Sequence, residues 1–203
     1  MKTRISIALA AVALSIGLTS QAAEPPPPTL NAAQIARVQA APAIVEGASG
    51  AQVKSTVYVF MDPNCIYCHL MWRALRPYEA AGLQVRWIPL AFLKPDSTGK
   101  AAALLKAPDG AALLNTLETR YSEKDESGGI APLPVVPADA KAKLDANATM
   151  FRELGFDGTP TVIYRDKTGK WIGLNGLPHL SALPAITNLA EQPINDPELQ
   201  RYR

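Results

Sequence analysis

An α/β fold carrying a helical insertion is predicted by three observations on this 203-residue sequence. A β-branched and aromatic run, Thr56 to Met61, is followed by an amphipathic helical pattern and a second apolar run, Leu83 to Leu90. A long Ala- and Leu-rich stretch comes next, from Ser97 to about Gly155, and two further β-type runs then flank the turn Asp166-Lys167-Thr168-Gly169. Strand, helix and strand within one short unit imply two parallel neighbours joined by a crossover, with the later hairpin extending the same sheet.

The chain opens with Lys2 and Arg4 ahead of an apolar run from Ile5 to about Leu18, with small residues at Ser20 and Ala22. That is the pattern of a secretory signal peptide cleaved near Ala22 or Ala23, and the run is too short for a spanning helix. Export to the periplasm is therefore expected, without stable membrane insertion. Removing Lys2 and Arg4 from 20 basic residues leaves 18, against 18 acidic ones, so the mature chain is close to neutral. No basic stripe marks it as a nucleic-acid binder. About 180 mature residues suit one domain with an insertion, or one domain and a small appendage.

Glu24 to Thr29 reads as a stiff, exposed polyproline spacer, and Asn31 as the cap of a short helix over Ala32 to Ala40. Ala43 to Glu46 reads as a short strand before the Gly47-Ala48-Ser49-Gly50 turn, after which the core is expected to begin, giving a spacer and linker helix over 24–50 and the main domain over 51–192. Thr56 to Met61 is too short for a buried helix and ends at the Asp62-Pro63 breaker. Leu70, Met71, Ala74, Leu75 and Tyr78 then recur at helical spacing until Gly82 supplies the stop. In the insertion, Ser97 and Asp109 are plausible caps, and a third helix covers about Ala138 to Leu154. The segment Ser127-Gly128-Gly129 to Pro137 should be irregular. Thr161 to Arg165 and Lys170 to Leu174 form the hairpin, Ser181 to Glu191 a closing helix, and residues 193–203 a loose tail.

Cysteine usage carries the chemistry. An exported protein can use structural disulfides freely, yet this chain has only two cysteines, Cys65 and Cys68, inside Asp62-Pro63-Asn64-Cys65-Ile66-Tyr67-Cys68-His69. A loop closed three residues apart constrains the unfolded chain little, so the pair's value is chemical. Cys65 falls where a strand hands over to a helix, whose unpaired amides and dipole stabilise a thiolate. Cys68 follows one turn later and more deeply buried, so Cys65 is expected to attack and Cys68 to resolve.

The same residues also satisfy Cys-x-x-Cys-His, the attachment signature of c-type haem. On that reading both thiols become thioethers, His69 ligates iron, and Met71, Met150 or His179 completes the axial pair. The strand before the motif and the hairpin downstream suit a redox pair instead. A zinc site would need all of Cys65, Cys68, His69 and His179, a strained set for neighbours on one helix. No metal and no cofactor is expected. His69 is more simply a surface residue than a group tuning the thiolate, and Trp72, Trp87 and Trp171 read as packing residues. Tyr67 should be exposed beside Cys65, contacting substrate or filling space over the helix start. Downstream, Gly158-Thr159-Pro160-Thr161-Val162 places a proline at the first residue of an apolar strand, where it is tolerated.

VYVFMDPNCIYCHLMW followed by GTPTVIY resembles the catalytic domain of the periplasmic disulfide isomerases DsbC and DsbG, a thioredoxin fold, over roughly Leu30 to Ala190. FLKPDS and the Ser-Gly-Gly segment lean towards DsbG. The resemblance implies that Asp62, Cys65, Tyr67, Cys68, Thr159 and Pro160 occupy motif positions. It implies that Cys65 and Cys68 form the redox-active disulfide, that Pro160 is cis opposite it, and that Thr159 and Pro160 present backbone to a substrate peptide. It further implies protein substrates with disulfides or oxidised cysteines, and a membrane thiol reductase or oxidase as partner. Ile66 stands where those relatives carry Gly or Pro, in a dipeptide that tunes redox potential. Only about 30 mature residues precede the first core strand, too few for the family's N-terminal dimerisation domain, so a monomer is expected. The alternatives from other classes are a haem c electron carrier and a non-catalytic peptide-binding chaperone.

Overall fold

A computed structural model describes residues 27–203, so the proposed signal sequence and the first half of the proline run, Pro25 and Pro26, lie outside the described residues. The centre is a six-stranded sheet of β1 (Thr29–Leu30), β2 (Ile44–Gly47), β3 (Ser55–Met61), β4 (Leu83–Pro89), β5 (Thr161–Arg165) and β6 (Trp171–Asn175), in the order β1-β6-β5-β3-β4-β2. β3 and β4 are parallel, as the intervening helix requires, and the remaining pairs are antiparallel. The helices are α1 (Ala32–Ala40), α2 (Ile66–Ala80), α3 (Ser97–Lys106), α4 (Gly110–Thr119), α5 (Ala138–Glu153) and α6 (Leu183–Thr187).

Side-chain alternation along the central strands divides the core into two layers. Val57, Val59 and Met61 of β3, with Leu83, Val85 and Trp87 of β4 and Val162 of β5, pack against Leu70, Met71, Ala74, Leu75 and Tyr78 of α2. Tyr58, Phe60, Ile88 and Ile163 face the opposite way, onto Ile35 and Val38 of α1 and Met150 and Phe151 of α5. β3 is thus apolar on both faces because helices cover both faces. This three-layer arrangement leaves the C-terminal end of β3 as the point where Asp62 to Cys65 emerge beside the start of α2.

Five expectations are corrected. Thr29 is not the end of a free spacer: β1 pairs with Ile172 and Trp171, and the Gly173 N–H donates to the Pro28 carbonyl at 2.9 Å. The core also begins before the Gly47–Gly50 turn, since α1 and β2 supply Ile35, Val38 and Ile44 to it. The closing helix is only Leu183–Thr187, because Asn188 enters the left-handed region at φ 54° and ends it. The tail is docked: Ile194 and Leu199 are buried in the α2 layer, while Asp196 and Glu198 take the Arg73 guanidinium at 2.6 and 2.5 Å. In the insertion Asp109 caps α4 through the Ala112 N–H, as expected. Ser97 is not a cap but the first residue of α3, and its hydroxyl is turned to the active-site loop.

Candidate active site

The loop from Asp62 to Asn64 is fixed by buried polar groups whose partners are all present. The Asp62 carboxylate accepts the Asn64 N–H at 2.9 Å and the Ser97 hydroxyl at 2.8 Å through Oδ1. Through Oδ2 it accepts the Phe92 and Leu93 N–H groups at 2.8 and 3.1 Å. Its carbonyl takes the Cys65 N–H at 3.0 Å, which closes the turn into α2. Asn64 is the hub of a second network. Its Oδ1 accepts from Lys100 Nζ at 2.9 Å and from the Gly128 N–H at 3.2 Å, its Nδ2 donates to Asp96 and Ser97, and its carbonyl accepts the Tyr121 hydroxyl at 2.9 Å. Lys100 is itself buried, bonded to Ser127 Oγ at 2.7 Å and paired with Asp96 at 2.8 Å, and this ammonium holds the Asp96 carboxyl below the usual range. Gly128 has no room for a side chain, since a Cβ there would stand 2.3 Å from the Pro63 carbonyl oxygen. Buried, fully paired groups of this kind give a rigid frame rather than a mobile loop.

Cys65 caps α2: its Sγ accepts the Cys68 N–H at 3.3 Å and lies 3.3 Å from the Thr159 carbonyl oxygen. Both cysteines are free thiols, Cys65 5% exposed and Cys68 1%. The Cys68 thiol, directed at Cys65 Sγ, is the largest influence lowering the Cys65 pKa. Burial opposes it, and contacts with Thr159 and the Cys68 and Tyr67 amides assist, bringing it to about 7. Cys68 moves the other way, well above the ordinary thiol value, first because burial penalises its thiolate and second because Cys65 competes for charge. One thiol is therefore available as a thiolate near neutral pH while its neighbour stays protonated.

The structure brings Cys65, Cys68, Thr159 and Pro160 together, and the Thr159–Pro160 peptide is cis. That strand start is anchored by the Thr161 hydroxyl on Asn175 at 2.6 Å and by the Gly176 N–H on the Pro160 carbonyl at 2.7 Å. Tyr67 is 49% exposed beside the pair, and Ile66 is half-buried at the first position of α2.

His69 corrects the surface reading. It is buried, its Nδ1 lies 2.8 Å from Glu118 Oε2, and its ring stacks on Tyr121 with centroids 4.4 Å apart. α4 supplies a carboxylate that burial holds above the usual carboxylate range, and imidazole and carboxyl satisfy each other away from water. Among the described residues no hydrogen bond joins the His69 ring to either thiol. The haem ligand set is not assembled either: Met150 belongs to the layer on the far side of the sheet, Met71 is packed in the near layer, and His179 meets Ser181 on the surface. Trp72 and Trp87 are packing residues whose indole N–H groups both donate to Glu46, and Trp171 meets the Tyr58 ring edge-on at 6.0 Å. Sequence reasoning missed Asn64, Ser97, Lys100 and Tyr121. Only Lys100 left a signal, as a cation on the apolar face of an Ala-rich helix.

The profile of the thioredoxin-like domain family matches residues 42–183. The thiol:disulfide interchange protein DsbG of Pseudomonas aeruginosa is 31% identical over 137 residues, covering 67% of this chain and 52% of that protein. The DsbG protein of Escherichia coli is 33% identical over 135 residues, covering 64% and 51%. The chain thus spans about half the length of the curated relatives it matches. Among solved structures, a periplasmic thioredoxin-like protein from Salmonella enterica serovar Typhimurium shares the fold with a TM-score of 0.59 at 19% identity, covering 79% of this chain and 97% of its own. ScsC of Proteus mirabilis in a compact conformation gives 0.56 at 20% identity, over 73% and 72%. A Cys-x-x-Cys pair at a strand-to-helix junction facing a cis-proline loop, with the family profile spanning most of the folded chain, leads to one conclusion: this chain belongs to the thioredoxin-like domain family.

Proposed function

We propose that this protein is a thiol:disulfide oxidoreductase of the isomerase or reductase type, acting on protein disulfides in the periplasm through Cys65. The observation that carries this reading is the opposite perturbation of two adjacent thiols, Cys65 brought to about 7 and Cys68 pushed well up, at the start of one helix. The Cys65 thiolate attacks a substrate disulfide, forming a Cys65–substrate bond and releasing the other substrate sulfur as a thiolate that takes up a proton. Cys68 then loses its proton and attacks Cys65 Sγ, which frees the second substrate thiol and leaves the Cys65–Cys68 disulfide. That sequence reduces the substrate by two electrons. If a substrate thiolate attacks the mixed disulfide before Cys68 does, the substrate leaves with a rearranged disulfide and the enzyme unchanged.

Thr159 and Pro160 present backbone to the substrate chain, and Tyr67 contacts it from the other side of Cys65. The similarity to DsbG and DsbC proteins, named as thiol:disulfide interchange proteins, supports the same chemistry. A sulfenic acid on a substrate cysteine is open to the same attack. A membrane thiol reductase keeps the pair reduced. No helix among the described residues is long and apolar enough to cross a membrane. The test is equilibration with glutathione. A potential below about −180 mV supports a reductase or isomerase, and one near −120 mV overturns it in favour of an oxidant. Cys65→Ser should abolish exchange, and activity retained in that variant points to a peptide-binding chaperone instead.

A further inference from the structure

The thiol chemistry makes no use of a second buried polar cluster, which lies near the C-terminal end of α2, about 20 Å along the helix from Cys65 at 1.5 Å per residue. Glu46 on β2 and Glu79 on α2 are both buried. Trp72 and Trp87 aim Glu46 by donating their indole N–H groups to its Oε2 at 2.9 and 3.0 Å. The Glu79 stem is pressed onto the β2 backbone, since a Cβ on Gly47 would stand 2.9 Å from Glu79 Cγ. Arg76 Nη1 bridges the two carboxylates, 3.3 Å from Glu46 Oε1 and 2.5 Å from Glu79 Oε2. Glu79 Oε1 is left over, buried and without a hydrogen-bond partner among the described residues. One guanidinium between two carboxylates leaves the trio a positive charge short, and a buried acceptor without a donor is costly. Both carboxylates line a single cavity of about 750 Å³, within the size range of small-molecule sites.

The rest of the wall indicates what fits there. α2 ends at the cavity, and its last carbonyls put the negative pole of the helix beside the carboxylates. Val45, Ala48, Ala81 and Ala111 supply apolar surface. Lys54 on the rim is exposed and pairs with neither carboxylate, while Glu118 of α4, which senses the Glu46 charge, is occupied by His69. Among the described residues no group of three or more His, Cys, Asp or Glu side chains is placed to hold a metal ion, which would need more oxygen ligands than two carboxylates give. Arg76 is the solvent-facing member of the trio, its side chain 44% exposed, so moving its tip opens a way to Glu79 Oε1 without moving backbone. We propose that this cavity binds a primary ammonium on an aliphatic chain, the ammonium donating to Glu79 Oε1 and the chain lying along the alanine-lined wall. The ammonium supplies both the missing charge and the missing donor. The site is separate from the thiols, so the proposal does not depend on the exchange reading above.

The test is titration calorimetry of the reduced protein with n-butylamine, butan-1-ol and Nα-acetyl-lysine amide. Both amines should bind and the alcohol should not. Burial keeps a proton on Glu79 up to about pH 8 in the free protein, so an ammonium that pairs with the carboxylate must displace it. Amine affinity should therefore rise roughly tenfold per pH unit below pH 8 and level off above it, with about one proton released to the buffer at pH 6. Glu79→Gln should weaken amine binding at pH 8 by at least about tenfold, the weight of one charge-assisted hydrogen bond, and flatten its pH dependence. Circular dichroism and the rate with glutathione disulfide check that this variant is folded. Tighter binding of the lysine derivative than of butylamine identifies a lysyl side chain of a polypeptide as the occupant, and the reverse order a free amine. Either order supports the site. Equal binding of butylamine and butanol overturns it, as does amine binding that Glu79→Gln leaves unchanged, or no heat at about 10 mM amine, which is weaker than a millimolar dissociation constant.

Discussion

The Cys68 N–H points at Cys65 Sγ from 3.3 Å, and the Cys68 thiol faces the same sulfur. The residue proposed to resolve the mixed disulfide thus stabilises, in the reduced protein, the thiolate whose sulfur it would later attack. Because the thiol contact is the largest influence lowering the Cys65 pKa, removing it should raise that pKa even though the backbone donor stays. Rates of alkylation by iodoacetamide against pH should show a midpoint near 7 in the wild type and a clearly higher one in Cys68→Ala. An unchanged midpoint would assign the acidity to the helix terminus alone.

Lys100 connects the insertion to the active-site loop through Asn64, Asp96 and Ser127. Replacing it by Met keeps most of the aliphatic stem but strips donors from buried acceptors, which is costly when the partners cannot turn to water. Asp96 is partly exposed and recovers hydration, so the loss should be about 2–3 kcal/mol rather than the larger value for a fully buried pair. Urea unfolding of Lys100→Met reads this as a lower midpoint with unchanged slope. A change under about 0.5 kcal/mol, the range of an ordinary surface substitution, would deny the network a structural role.

The reach of the sequence follows from what periodicity reports. β3, β4, α1 and the β5–β6 hairpin were legible because their apolar spacing and their caps or turns are local: Asn31 and Gln34 form a capping box three residues apart, and Asp166 turns the hairpin through its own neighbours. Cys65, Cys68 and Pro160 were legible because their residue types are rare in those contexts. His69 was misread because the carboxylate that buries it, Glu118, is 49 residues away on a helix whose docking no local pattern specifies. Asn64 failed in the same way, since its Lys100 partner is 36 residues distant. The tail looked loose because its short apolar content, Ile194 and Leu199, has no period, whereas Arg73 on α2 supplies the charge that seats it.

That seating has a measurable consequence. Leu199 is fully buried in the α2 layer, so Leu199→Ala should cost about 2–4 kcal/mol through lost burial and the cavity left behind. An unanchored tail would give nearly zero. Arg73→Ala should cost less, about 1 kcal/mol, because two of its three partners, Glu123 and Glu198, are nearly half exposed and only Asp196 is more buried. Thermal melts of the two variants separate apolar anchoring from charge anchoring.

The last prediction concerns Glu79, near the C-terminal end of α2. Burial, reinforced by the neighbouring Glu46 charge and opposed by Arg76, pushes its pKa up to about 8, and its Oε1 has no hydrogen-bond partner. The folded protein therefore keeps this proton up to about pH 8, whereas the unfolded chain releases it near the ordinary value of 4.5. Over that interval the folded state binds more protons, so the Glu79 contribution to stability falls as pH rises and levels off above pH 8. Glu79→Gln removes the titration while keeping the side-chain shape. Its stability relative to wild type should rise by roughly 2–4 kcal/mol between pH 5 and pH 8. Parallel stability curves for the two proteins would mean that Arg76, at 2.5 Å from Glu79 Oε2, already holds the carboxylate charged in the fold.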